Sequence, residues 1–412
     1  MAIPFFSIDM SGNNWNAYLR GLVNHQGWFG EASNALESDL GKRFPEHDVI
    51  LFSSARLGFY FLLKSSFRSG DEVIFSALSF PLYLKIALQI GLKPVLVDVE
   101  PEHLNLDPNQ LRKAITDKTK AIVVTHLFGH PAEMDEITSI ANDCDVPVIE
   151  DCAQSYDSYY EGRETGTFGW TGLFSCSLMK VPTTLGGGVL ITRDTELASK
   201  IRKLAEEQRC LTGAMGQVSY HLKGLVSILN SYPLLYSLLS HQIFGLIRKR
   251  NPMLLRRILY AGMGMDDKSF DPAERPRLAA YQLELGAVQF SCAREMTEKR
   301  RRNSKIFDAA LEPHKDVTIL KESRKAYWNY QYYVIDLGSR MEEVFDKAFL
   351  RGIHVMKEDV WDCTTYNFRG VEQGSCPVAT ARNSGLLRIP NNSFLSSKIS
   401  NGIANDLLEI LG

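Results

Sequence analysis

Along the first half of the chain, hydrophobic and polar positions switch repeatedly between two periods. Short apolar runs read as strands at Asp48–Ser53 (DVILFS), Glu72–Phe75, Pro94–Asp98 (PVLVD), Ala121–Thr125 (AIVVT) and Val146–Glu150 (VPVIE). Between them lie stretches with helical spacing: Ala55–Phe67, Pro81–Ile90, a helix containing Leu111–Ile115, and Met134–Asp143. This alternation predicts βαβ crossovers, hence an α/β fold with a mostly parallel sheet covered by helices on both faces. Gly187–Thr192 adds a strand and Glu196–Leu204 a helix. A single long helix is predicted over Arg277–Arg301. Beyond it, a strand at Tyr330–Asp336, a helix near Met341–Arg351, a strand at Ile353–Lys357 and a helix after Ser396 predict a smaller C-terminal α+β domain. The expected division is 1–290 and 291–412, with an apolar helical insertion at about 206–272 in the first part.

That insertion breaks the pattern. From Gly224 to Ile247 no residue is charged, while Lys223 precedes the stretch and Arg248, Lys249 and Arg250 follow it. A second apolar and basic patch, MLLRRILY, runs from Met253 to Tyr260. The length would suit a membrane span. Asn230, Ser231, Pro233, Ser237, Ser240, His241 and Gln242 interrupt it, which favours buried or amphipathic helices, or contact of 222–262 with a membrane surface, over a span.

Composition narrows the class. The 412 residues carry 46 Lys+Arg against 48 Asp+Glu, a net charge of −2, which argues against a large nucleic-acid footprint. Hydrophobic residues make up 45%, enough to exclude a disordered chain. The seven cysteines are odd in number and lack a CxxC pair, so neither a disulfide framework nor a metal site is expected. The N-terminus MAIPFFSIDMSGNNW has no basic region followed by a long apolar one, and a cytoplasmic location is expected.

In an open α/β sheet, ligands bind beyond the carboxyl ends of the strands. Several residues fall there. Asp151 follows VPVIE directly; it is either a site carboxylate or a helix-capping turn residue. Ser54-Ala55 joins a strand to a helix, where first-turn amides and a hydroxyl can hold a phosphate, or where Ser54 simply caps the helix. Phe80 could stack on a planar ring or belong to the core. Lys180 sits in the apolar run Leu173–Val181, and an amine among apolar neighbours sheds its proton more readily and can act as nucleophile or base. Ser175 offers a second hydroxyl, and Gly186-Gly187-Gly188 either a close backbone approach or an ordinary turn. Together they describe a pyridoxal phosphate site: an amine for the aldehyde, an acid for the pyridine nitrogen, an aromatic over the ring, and hydroxyls with a helix N-terminus for the phosphate.

In order and spacing, the chain resembles the DegT/DnrJ/StrS family of sugar aminotransferases, pyridoxal phosphate enzymes of fold type I. The resemblance rests on Gly27-Trp28-Phe29-Gly30, Gly70-Asp71-Glu72, Ser79-Phe80, Pro94–Val99, Ala114–Ile122 and His126-Leu127-Phe128-Gly129-His130-Pro131. Its sharpest part is Ile149-Glu150-Asp151-Cys152-Ala153-Gln154-Ser155, followed by Phe174-Ser175, Lys180 and Gly187-Gly188. It implies that Lys180 carries the cofactor, Asp151 pairs with the pyridine nitrogen, Gln154 contacts the ring's oxygen side, Phe80 stacks on the ring, and Ser54, Ala55 and Ser175 hold the phosphate. It further implies an amino acid donor such as glutamate, a keto-sugar acceptor on a nucleotide carrier, and a homodimer. Ser54-Ala55 stands where the family has Gly-Thr, and Leu185-Gly186 where it has Gly-Glu. Arg275-Pro276-Arg277 falls on the family's Asn-x-Arg, so Arg275 is the candidate phosphate ligand from a partner subunit. These departures keep two alternatives open: a non-catalytic sensing or assembly protein on the same fold, and an enzyme acting on a membrane-associated or lipid-linked substrate.

Overall fold

The computed structural model describes residues 2–10, 12–23, 29–207, 222, 224–259, 270–272, 277–358, 361–366, 368–373 and 375–412. Seven strands form the main sheet: β1 (Asp48–Phe52), β2 (Glu72–Ser76), β3 (Lys93–Val97), β4 (Thr119–Thr125), β5 (Val148–Asp151), β6 (Thr171–Ser175) and β7 (Gly188–Thr192). Their spatial order is β1-β7-β6-β5-β4-β2-β3, with the two-residue strand Glu372–Gln373 added at the β3 edge. From β6 across to that edge all neighbours run parallel, whereas β7 is antiparallel to both β1 and β6. Every residue of β2 is buried, as expected of a strand covered on both faces. A second sheet, built from Thr318–Ile319, Tyr333–Asp336, Leu386–Ile389 and Met356–Lys357 in that order, forms the smaller C-terminal domain with the helices Met341–Leu350 and Ser397–Leu411.

The helices Pro81–Ile90 and Met134–Asp143 have the bounds expected from the sequence, because their ends carry chemical signals or sharp pattern changes. Pro81 opens the first of these and Gly91, at φ 92°, closes it. The helix expected over 277–301 is two helices, Ala280–Ser291 and Ala293–Leu311. Cys292, at φ −94° and ψ −1°, turns the chain between them, and no Gly or Pro announces that bend. The first packs against the helix Asn13–Val23 and the second against Ser397–Leu411.

One buried histidine fixes a pH dependence. His130 lies with Nδ1 2.8 Å from the Pro131 carbonyl, to which it can only donate, and with Nε2 accepting the Ser323 N–H at 3.1 Å. That pattern requires the neutral ring. Burial, helped by the neighbouring His103 charge at a ring distance of 4.4 Å, pushes His130 down to about 3. Unfolding restores the ordinary value near 6.5. The stabilisation is therefore complete above about pH 6.5 and is lost progressively as the pH falls towards the folded value. The melting temperature should drop between pH 6.5 and 4, and His130→Gln should flatten that slope. A variant with the unchanged slope would contradict this assignment.

Candidate active site

Strand register builds the site. Gly188 of β7 lies opposite Phe52 of β1 and Ser175 of β6, so β1 and β6 end on either side of it. A Cβ at Gly188 would sit 2.3 Å from the Ala55 amide nitrogen; only glycine lets the Ser54-Ala55 backbone cross so closely. This brings Ser54, Ala55 and Ser175, separated by over a hundred residues in sequence, to one corner at the N-terminus of the helix Ala55–Ser66. The Ser54 hydroxyl there accepts the Leu57 N–H at 3.2 Å and acts as the helix cap. Its neighbour Ser53 carries a buried hydroxyl with no hydrogen-bond partner among the described residues. The sequence offers two adjacent serines and does not say which one the helix takes.

Lys180 lies past the strand that opens the apolar run Leu173–Val181. β6 ends at Ser175, and Lys180 lies on the loop that returns to β7, above the same sheet edge. Residues of the smaller domain hold that loop. Gln331 accepts the Val181 N–H at 3.2 Å and donates to the Met179 carbonyl at 3.0 Å. Lys180 Nζ donates to the Tyr332 hydroxyl at 3.2 Å and lies 6.0 Å from the centre of the Trp361 ring. Tyr332 itself stacks on the Arg388 guanidinium at 3.8 Å. Burial works to raise the Tyr332 phenol, but the Lys180 and Arg388 charges outweigh it and hold it below the usual tyrosine range. Nothing in the local sequence pattern around Tyr332 and Trp361 separates them from core residues, and Arg388 stands in Leu387-Arg388-Ile389-Pro390, which resembles the family's late Leu-x-Pro segment but does not tie the arginine to Lys180.

Asp151 ends β5 in register with Thr125 of β4 and Leu173 of β6. Its carboxylate is buried, accepting the Ala153 N–H at 3.1 Å and the Thr125 hydroxyl at 3.3 Å; Thr125 in turn pairs with Ser79 at 2.9 Å. Burial raises the Asp151 pKa, and the Ala153 amide and the Lys180 charge oppose the rise only in part. A carboxyl in that setting readily shares a proton with a basic partner. Gln154 is buried beside it with its side-chain oxygen accepting the Phe128 N–H at 2.9 Å, so any ring contact falls to its NH2 end. Phe80, half-buried, opens the helix Pro81–Ile90 and packs edge-on to Tyr83 at 5.3 Å. Arg275, with Gly27-Trp28, lies outside the described residues. His126, Glu150 and Cys152 also converge, but the Glu150 oxygens already accept from Gly166 (2.7 Å) and Gly169 (2.6 Å) and meet His126 Nε2 at 3.1 Å; the trio braces the strand end.

The profile of the DegT/DnrJ/EryC1/StrS aminotransferase family matches residues 11–222, half of the chain. The chain belongs to that family. Its cofactor is pyridoxal 5′-phosphate, and the corner just described fits it: a spare buried hydroxyl at Ser53, an amine at Lys180 and a proton-sharing carboxyl at Asp151. L-glutamine:2-deoxy-scyllo-inosose aminotransferase of Streptomyces paromomycinus is 41% identical over 145 residues, 35% of this chain and 34% of that protein. The matched part thus spans about a third of the length of such curated relatives. Over the whole chain the fold matches the aminotransferase TlmJ from Streptoalloteichus hindustanus (TM-score 0.78, 20% identity, covering 100% and 99%). It also matches Helicobacter pylori PseC, an aminotransferase involved in the biosynthesis of pseudoaminic acid (TM-score 0.75, 18% identity, covering 100% and 99%). Both folds cover this chain throughout, its mixed main sheet and its smaller C-terminal domain included.

Proposed function

We propose that this family member is a pyridoxal phosphate-dependent aminotransferase that moves an amino group from an amino acid, glutamate or its amide, to a keto sugar on a nucleotide carrier. It works in the cytoplasm as a homodimer, with Arg275 reaching the phosphate of the partner's site. The observation that carries the reading is that Lys180, on the loop between β6 and β7, and the buried Asp151 carboxyl, at the end of β5, lie at the same sheet edge. Bound pyridoxal phosphate supplies an aldehyde carbon that links to amines and a ring that draws electrons from the carbon next to the nitrogen. Lys180 holds the cofactor at rest and then moves the proton at the donor's α-carbon. Asp151 keeps a proton on the pyridine nitrogen. Ser53, Ser175 and the first-turn amides after Ser54 bind the phosphate. Phe80 covers one ring face, and Tyr332 orients the lysine amine between its two duties. Because one residue serves both amines in turn, two-step kinetics with release of the oxo acid before sugar binding are expected.

The purified protein should show a yellow absorption band, bleached by L-glutamate or L-glutamine and restored by a keto-sugar nucleotide. A band that no amino acid bleaches would leave the cofactor assignment standing and sink the transaminase reading. It would favour the non-catalytic alternative on the same fold.

A further inference from the structure

Among the described residues, thirteen of the seventeen exposed large hydrophobic side chains lie between Leu222 and Ile258. The segment is fastened to the protein along one side. Ser231 Oγ accepts the Ile8 N–H at 2.9 Å, Ser237 Oγ accepts the Ala2 N–H at 2.6 Å, and the buried Tyr236 hydroxyl meets His354 Nδ1 at 2.6 Å. Pro233–Leu235, Tyr236–Ser240 and His241–Arg250 follow one another as a continuous helix, the middle part wound as a π-helix. Its outer face presents Leu235, Leu239, Ile243 and Leu246, with Leu234 and Leu238 beside them; Leu238 is 63% exposed. Across Asn251, the helix Pro252–Leu259 adds Met253, Leu254 and Ile258 to the exposed set. Patches of this kind mark contact surfaces rather than ordinary solvent-facing helices.

Charge says what the contact is. Residues 208–265 contain seven Lys or Arg and no Asp or Glu, in a chain whose net charge is −2. Lys249 and Arg250 are exposed at the junction of the two apolar helices. A second copy docking through this face about a two-fold axis would set one acid-free basic segment against another, which is repulsive. A bilayer with anionic headgroups matches both features: acyl chains take up the leucines, and headgroups meet the cations. No helix among the described residues is long and apolar enough to cross a membrane. We propose that residues 224–259 form an amphipathic foot that seats the protein on the surface of an anionic phospholipid bilayer, without spanning it.

The test is flotation of the full-length, cofactor-loaded protein with vesicles of phosphatidylglycerol and phosphatidylcholine, and with phosphatidylcholine alone. Binding to the anionic vesicles should exceed binding to neutral ones by about tenfold or more at low salt and fall at high salt. K249E/R250E should weaken anionic binding by a similar factor. L238Q/L246Q should abolish flotation while the absorption band and melting temperature stay unchanged, since both positions face outwards. Wild-type protein that ignores anionic vesicles would overturn the proposal. So would equal binding to both vesicle types unaffected by K249E/R250E. A third contrary result would be L238Q/L246Q turning a dimer into a monomer while flotation persists, which would give the face to a second copy.

Discussion

Lys180→Ala should abolish the yellow band and cut transamination on the order of 10⁴-fold, while leaving the fold intact. The expectation comes from the position of the amine rather than from the family alone. Lys180 is half-buried on a loop, its neighbours' backbone is held by Gln331, and its Nζ meets a single described hydrogen-bond partner, Tyr332. Losing it removes one weak bond from the fold, at a cost of about 1 kcal/mol, but removes the only amine described at that sheet edge. Absorption spectra and single-turnover rates with glutamate, alongside circular dichroism, separate the two consequences. A variant that keeps the band would mean that another residue carries the cofactor.

The second large effect is on stability. Arg388 and Glu358 form an ion pair, Nε to Oε1 at 2.7 Å, with both side chains at 1% exposure or less. The guanidinium also stacks on Tyr332 at 3.8 Å and on Phe5 at 4.3 Å. Glu358→Ala leaves that cation buried without its counter-charge and should cost about 3–5 kcal/mol. The double variant Glu358→Leu/Arg388→Met removes both charges and should recover much of the loss, because an apolar pair of similar size carries no desolvation penalty. Urea unfolding followed by fluorescence measures both. If the single variant unfolds at the wild-type midpoint, or the double variant is the weaker of the two, the pair does not act as described.

Much of the fold and part of the site could be read from the chain. The parallel strands announce themselves because burial on both faces demands unbroken apolar runs, as at β2 and β4. Asp151 and Lys180 stand out because a charge at the end of an apolar stretch needs a reason. The rest depends on contacts between distant segments. Helix periodicity is blind to the turn at Cys292, since the apolar stripe carries on through it. Ser53 and Ser54 are chemically identical, and only the capping geometry assigns one to the helix and frees the other. Tyr332 and Arg388 gain their meaning from Lys180, 152 positions from the tyrosine in sequence, and no local pattern encodes that distance.

The hold on the lysine loop from Gln331, Tyr332 and Trp361 has a bearing on biosynthesis. A ribosome delivers the strand ends, the Ser54-Ala55 corner and the lysine well before the side chains that steady the amine. The last edge strand of the main sheet, Glu372–Gln373, comes later still. The lysine loop therefore leaves the ribosome without its braces, and stays without them until Gln331, Tyr332 and Trp361 have been made.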